Sequence, residues 1–168
     1  MVKRKKSYIK KINQLDTLSV HAGVKTDPLT GAVMTPIYAT STYAHDRPGE
    51  HKGYEYSRSQ NPTREVLENS IAELESGYKA FAFASGVAAQ TAVLDLLKPG
   101  DHVIAFDDLY GGTFRLFNEI KSKSSNIEFT FVDLNTNFSK EIKKNTKMIW
   151  IETPTNPLLK ITDLKRIA

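Results

Sequence analysis

Apolar and polar positions follow two regimes along the chain. From residue 61 onward they are periodic. Asn61-Pro62 reads as a helix start, because Asn caps and Pro fits the first helical position. Leu67, Ile71 and Leu74 recur at helical spacing, and Gly77 supplies a stop. Lys79–Ala84 (KAFAFA) reads as a short buried strand, Ser85-Gly86 as a tight turn, and the Ala-rich Val87–Leu97 as a helix packed on a sheet. After the turn Lys98-Pro99-Gly100-Asp101 the pattern predicts a strand at His102–Phe106 (HVIAF) and a helix over Gly111–Lys121. A strand at Ile127–Val132 (IEFTFV), a short helix at Ser139–Lys144 and a strand at Met148–Glu152 (MIWIE) follow, and a last helix begins near Thr162. Residues 12–60 are rich in Thr, Ser, Tyr, Pro and Gly and keep no period, so they read as an extended arm and loops with short strands. So long an irregular stretch points to a functional or docking segment.

Strands alternating with helices predict an α/β fold with a mostly parallel sheet. The expected organisation is a basic tail and extended arm over 1–60 and an α/β domain over 61–168. The chain ends a few residues into its last helix, with no cap and no stop signal, so a fragment is expected.

Composition narrows this further. A chain of 168 residues with 40% apolar and 25% charged residues is an ordinary globular one, which excludes disordered, collagenous and coiled-coil classes. It has no cysteine, so disulfides, thiolate zinc sites and a cysteine nucleophile are excluded, and a reducing, cytoplasmic setting fits. The net charge of +4 belongs to the tail. Setting aside Lys3, Arg4, Lys5, Lys6, Lys10 and Lys11 leaves 17 cations against 19 Asp+Glu. A nucleic-acid-binding domain would spread its cations over one folded face, so no nucleic-acid partner is expected. No run of 18 apolar residues exists, and no apolar run follows the N-terminal lysines, so neither a membrane span nor a secretory signal is read.

Four segments carry candidate chemistry. In Phe83-Ala84-Ser85-Gly86-Val87, a strand ends in a Ser-Gly turn that opens a helix. The amides of Gly86 and Val87 would stand unpaired at the positive dipole end, a natural phosphate site, although such a turn also serves as plain punctuation. No G-x-x-x-x-G-K-[ST] or G-x-G-x-x-G pattern accompanies it. In Tyr54–Thr63 (YEYSRSQNPT), Tyr56 and Arg58 pair a phenol with a guanidinium fork, which can grip a phosphate or merely line a loop. In Asp107–Arg115 (DDLYGGTFR), the loop follows a strand at the edge where α/β proteins bind ligands. Tyr110 can stack on a flat ring, Arg115 can pair with a carboxylate, and Gly111-Gly112 lets the backbone turn close to a ligand. Asp107 and Asp108 read as a solvated turn, and with no nearby His or third carboxylate no metal is expected. In Glu152–Pro157 (ETPTNP), two prolines fix a polar loop after a strand, and Asn156 can present an amide. The four histidines are scattered singly, with His102 at a strand end.

In this order, YSRSQNPT, FASGVAA, DDLYGGTFR and IETPTNP resemble the Cys/Met-metabolism family of pyridoxal-phosphate enzymes over about residues 15–168. That family includes cystathionine γ-synthase, cystathionine γ- and β-lyases, methionine γ-lyase and O-acylhomoserine sulfhydrylases. The segments look closest to the γ-synthase and γ-lyase branch, which implies γ-elimination or γ-replacement on cystathionine or an O-acylhomoserine, with cystathionine β-lyase, methionine γ-lyase and O-acetylhomoserine sulfhydrylase activities as the alternatives within the family. The resemblance implies the first part of the large domain of fold-type I (aspartate-aminotransferase-like) enzymes, acting on a sulfur-containing amino acid in a homotetramer built from dimers. It implies that Tyr56 and Arg58 grip the cofactor phosphate of the neighbouring subunit. Ser85 and the backbone amides of Gly86 and Val87 would hold the cofactor phosphate. Tyr110 would stack on the pyridine ring and assist exchange of the cofactor between lysine and substrate, and Arg115 would lie near the substrate. Asn156 would meet the ring's phenolic oxygen and the substrate carboxylate, and the arm of residues 12–60 would reach a partner subunit.

Two residues of the family pattern are expected further along than this chain runs: the aspartate that pairs with the pyridine nitrogen and the lysine that holds the cofactor. Thr146-Lys147 resembles the lysine segment but precedes the strand leading to Asn156, which puts it at the wrong end of the sheet. The 168 residues are therefore expected to be inactive alone. Two other readings compete: a non-catalytic interaction protein derived from the family, and a phosphate-binding, nucleic-acid-linked module using the basic tail.

Overall fold

The computed structural model describes residues 14–168, so the basic segment Lys3–Lys11 lies outside the described residues. The chain divides into two compact units, one through Ala82 and one over Phe83–Ala168.

In the first unit, helix α1 (Gln14–His21) forms where an irregular arm was expected, with Ser19 bonding back to the Asp16 carbonyl at 2.7 Å. Gly23, with φ +70°, ends that segment beside the backbone of α2. A Cβ there would meet the Ser70 nitrogen at 2.5 Å and the Val66 carbonyl at 2.6 Å, so only glycine fits. A short antiparallel pair, β1 (His45–Arg47) and β2 (Glu50–His51), follows. Helix α2 (Pro62–Leu74) starts as the sequence predicts: Asn61 accepts from the Thr63 and Arg64 amides at 2.9 and 3.2 Å. Its stop lies one residue earlier than Gly77. Ser76 takes the left-handed conformation (φ 55°) and the Gly77 amide closes onto the Ala72 carbonyl at 2.8 Å, the Schellman arrangement. The expected strand at 79–84 does not form. Among the described residues no strand lies beside it to take its backbone hydrogen bonds, and Phe81 and Phe83 stand exposed.

The second unit is α/β. Helix α3 (Gly86–Leu94) leads to a parallel three-stranded sheet, order β4-β3-β5, of β3 (His102–Phe106), β4 (Glu128–Val132) and β5 (Thr146–Trp150). All of β3 is buried, which explains the apolar run Val103–Phe106 that follows His102. Helix α4 (Gly111–Arg115) runs through a π turn (Leu116–Lys121) into α5 (Ser122–Ser124). A 3-10 turn (Ser139–Glu141) precedes β5, and α6 (Leu164–Ile167), capped by Asp163, closes the chain. The core joins Leu94, Ile104, Phe106, Phe117 and Leu134, with Phe117 stacked on Phe129 and edge-on to Trp150. At the amino end of the sheet His102 is fully buried, its ring nitrogens 2.8 Å from the hydroxyls of Thr130 and Thr146 on the two flanking strands. Lys147 sits at this same end, exposed on β5.

Candidate functional site

Because β4 and β5 flank β3, the loops after β3 and β5 are neighbours at the carboxyl edge, where open α/β sheets bind ligands. They are tied together by charge. Asp108, read from the sequence as part of a solvated turn, is buried, and its Oδ2 accepts from the Thr155 hydroxyl and from the Leu158 amide at 3.0 Å. Buried Thr155 in turn orders its loop: its hydroxyl accepts from the Lys160 amide at 2.8 Å and its own amide donates to the Lys160 carbonyl at 3.0 Å. The Lys160 ammonium bridges Asp107 and Asp133, 3.2 Å from each. Asp107 raises the Lys160 pKa, with Asp133 assisting against partial burial. The Asn135 amide lowers the Asp133 pKa, and Lys160 adds to this. A second tie runs from the Tyr110 amide to the Glu152 carboxylate, 3.1 and 3.3 Å to its two oxygens.

Tyr110 and Asn156, one on each of these loops, are both exposed. The glycines after Tyr110 are helical and not left-handed, so their role differs from the expected backbone turn. A Cβ on Gly112 would lie 2.4 Å from Tyr110 Cε1, so Gly112 is the floor that lets the Tyr110 ring settle over α4. Arg115 is exposed at the end of α4 and leans back, its Nη1 3.5 Å from where a Gly111 Cβ would stand.

At the start of α3, Ser85 caps the helix by accepting from the Ala88 amide at 3.1 Å. The Gly86 and Val87 amides, the first two of the helix, have no partner among the described residues. A Cβ on Gly86 would meet nothing within 4 Å, so an anion can approach them directly. The Thr113 hydroxyl donates to the Gln90 side chain at 3.0 Å and ties α3 to α4.

Tyr56 and Arg58 belong to the first unit. The Arg58 guanidinium lies 4.6 Å from the Tyr56 ring centroid, a cation–π pair with Arg58 exposed. Arg64 holds this loop with both arms of its fork, donating to the Ser57 and Ser59 carbonyls at 2.9 and 2.8 Å. Asn61 adds bonds to the Tyr38 carbonyl and the Ser57 hydroxyl, each 3.1 Å. Tyr54 donates to Glu65, which pushes its phenol up to about 12.

The structure thus gathers Tyr110 and Asn156 on neighbouring loops of one sheet edge. Asp108, Thr155, Lys160, Glu152 and Arg64 are the supports that sequence reasoning missed. The signal for Asp108 was its place directly before apolar Leu109, one residue beyond the apolar run Val103–Phe106, where a solvated side chain is the less natural reading. Among the described residues no three His, Cys, Asp or Glu side chains group to hold a metal, and no helix is long and apolar enough to cross a membrane.

A parallel sheet with helical cover and its ligand loops at the carboxyl edge is the large-domain architecture of fold-type I pyridoxal-phosphate enzymes. Residues 16–168 match the model of the Cys/Met metabolism PLP-dependent enzyme family, and the chain belongs to that family. Cystathionine beta-lyase of Coxiella burnetii is 55% identical over 160 residues, 94% of this chain and 41% of that protein. Cystathionine gamma-lyase of Bacillus subtilis is 53% identical over 90% of this chain and 40% of its own length. The crystal structure of cystathionine gamma-lyase from Lactobacillus plantarum superposes with a TM-score of 0.84 at 46% identity, covering 92% of this chain and 40% of that one. The chain therefore spans about 40% of the length of the relatives it matches.

Proposed function

We propose that these residues form the phosphate and ring side of the cofactor site in a pyridoxal-phosphate-dependent C–S lyase or transferase of transsulfuration. The substrate class is cystathionine or an O-acylhomoserine, taken through γ-elimination or γ-replacement, in a cytoplasmic homotetramer of paired dimers. The observation that carries the reading is the pair of unpartnered amides at Gly86 and Val87, open to solvent at the head of a capped helix. That donor set fits a phosphate dianion. Ser85, Gly86 and Val87 hold the phosphate, with Tyr56 and Arg58 serving the site of a neighbouring subunit. Tyr110 offers its ring face to the pyridine and its hydroxyl as a proton carrier, and Asn156 offers its amide to the ring oxygen and the substrate carboxylate. Arg115 stands ready for a substrate carboxylate. Pyridoxal phosphate, when bound, supplies the electron sink that lets bonds beyond the substrate α-carbon break and form.

The test is a titration of the isotope-labelled chain with pyridoxal phosphate and, separately, with pyridoxal. Gly86 and Val87 amide signals are expected to move with the first and not with the second; equal or absent response overturns the phosphate assignment. The lysine that carries the cofactor is proposed to lie outside these residues. Borohydride reduction and peptide mapping should therefore give scattered, substoichiometric labelling of surface lysines. A single stoichiometric adduct, above all on Lys147, overturns that part.

A further inference from the structure

Tyr110 and Asn156 sit on different loops, and both are exposed, so neither is positioned by burial. What relates them is the buried contact beside them. Asp108 lies two residues before Tyr110, with buried Leu109 between them anchoring the loop to the core. Thr155 lies directly before Asn156 and Leu158 two after it, and both donate to the same Asp108 oxygen. The donors therefore bracket Asn156 in sequence and converge on one acceptor that belongs to the Tyr110 loop.

We propose that Asp108 is a positioning residue that fixes Asn156 relative to Tyr110 through Thr155 and the Leu158 amide, so that both meet one ring. This rests on the reading of Tyr110 and Asn156 as ring-facing residues. A carboxylate suits the task because it offers only acceptors, and one of its oxygens takes both the O–H and the N–H. Asparagine keeps a neutral oxygen in the same place and should work in part; alanine accepts nothing.

The experiment uses the isotope-labelled 168-residue chain with Asp108→Asn and Asp108→Ala. Hydrogen exchange is followed at the Leu158 and Ile104 amides, and pyridoxal phosphate is titrated against the Asn156 side-chain amide and the Tyr110 ring. In Asp108→Ala, Leu158 exchange should rise at least about tenfold, the low end for loss of a hydrogen bond to a charged group, with Ile104 unchanged. Asp108→Asn should fall between. With pyridoxal phosphate, wild-type Asn156 and Tyr110 should respond together, whereas in Asp108→Ala the Tyr110 response persists and the Asn156 response is lost. Unchanged Leu158 exchange, a joint rise at Ile104, or an undiminished Asn156 response each overturns the proposal. If Asp108→Ala does not fold, Thr155→Val removes the hydroxyl half of the tie and leaves the Leu158 amide on Asp108, so the Asn156 response should weaken while Tyr110 keeps its own, with Thr155→Ser as the rescue; an undiminished Asn156 response again overturns the proposal. A wild-type chain in which neither Tyr110 nor Asn156 responds overturns the cofactor reading and Asp108's role toward the ring, while Leu158 exchange still reports whether the tie exists.

Discussion

The two units reach order by different means. Over Phe83–Ala168, Leu94, Ile104, Phe106, Phe117 and Leu134 are fully buried against one sheet. Among the described residues up to Ala82, only Ala22, Asp27 and Ala72 are buried, while Leu29, Met34 and Ile37 are 89%, 77% and 85% exposed. This unit is organised instead by local polar bonds: Asn61 and Arg64 on the Tyr56–Arg58 loop, Thr63 on the Tyr38 amide and the Pro36 carbonyl, Asp27 on Thr30. Each such bond contributes only about 1 kcal/mol net, and exposed apolar side chains contribute nothing until something covers them. A segment built this way specifies a shape without much intrinsic stability. That suits the proposed arm, whose apolar side chains would be covered by a neighbouring subunit.

The largest effect should come from breaking the side of the comparison that has a core. Phe117 is fully buried between Phe129 and Trp150, ring centroids 4.8 and 5.2 Å away. Phe117→Ala should cost about 3–5 kcal/mol, the usual range for a buried aromatic. Ile37→Ser, in the exposed segment, should stay within about 0.5 kcal/mol. Urea unfolding of the two variants checks this; comparable losses would mean that the first unit has cover of its own.

A smaller loss should sharpen the other side. Asn61 both caps α2 and ties the preceding loop, and substitution separates the two tasks. Asn61→Ala should cost about 1–2 kcal/mol, the upper half of the capping range, since both are lost. Asn61→Asp keeps the capping acceptor and loses the donor to Tyr38 and Ser57. Hydrogen exchange should then show the first turn of α2 protected and the Ser57–Ser59 amides freed. Equal opening in both variants would show that loop and helix form as one.

These two modes also explain what was legible in the sequence. β3 was read at its exact bounds because an apolar run with both faces covered carries its own signature. The Asn61-Pro62 start was legible for a local reason, since cap and first turn are set by adjacent residues. The strand expected at 79–84 failed because a strand exists only with a neighbour, and the alternating Phe81 and Phe83 do not supply one. Helix α1 escaped notice for lack of a clear apolar stripe: Leu15 and Val20 are both exposed. At the candidate site, Tyr110 and Asn156 could be found from loop chemistry, but the ties between the two loops join residues more than forty positions apart. Asp108 therefore read as solvated until the fold placed Thr155 against it.

The smallest effect concerns the amino end of the core-bearing sheet. His102 is fully buried, and its ring bridges Thr130 and Thr146 across all three strands. Burial lowers its pKa below the ordinary 6.5, and nearby Lys143 lowers it further, against opposing pulls from Glu128 and Glu141. The imidazole is therefore neutral in the folded chain near pH 7, one nitrogen donating to a threonine and the other accepting from the second. On unfolding it recovers its ordinary affinity and takes up a proton near pH 6.5. Below that pH the unfolded state holds more protons than the folded state, so stability falls as pH drops through about 6.5 and levels off once the buried ring itself titrates. One proton limits the slope to about 1.4 kcal/mol per pH unit. Urea midpoints at pH 7.5, 6.5 and 5.5 should decline for the wild type. The decline should flatten for His102→Gln, which keeps hydrogen-bonding groups but cannot titrate. Paired carboxylates such as Glu128, whose pKa Lys143 lowers, act only at lower pH, and the difference between wild type and His102→Gln isolates this histidine from the other three. An identical decline in the variant would place the titrating group elsewhere, and the buried bridge would then be a packing feature without a pH signature.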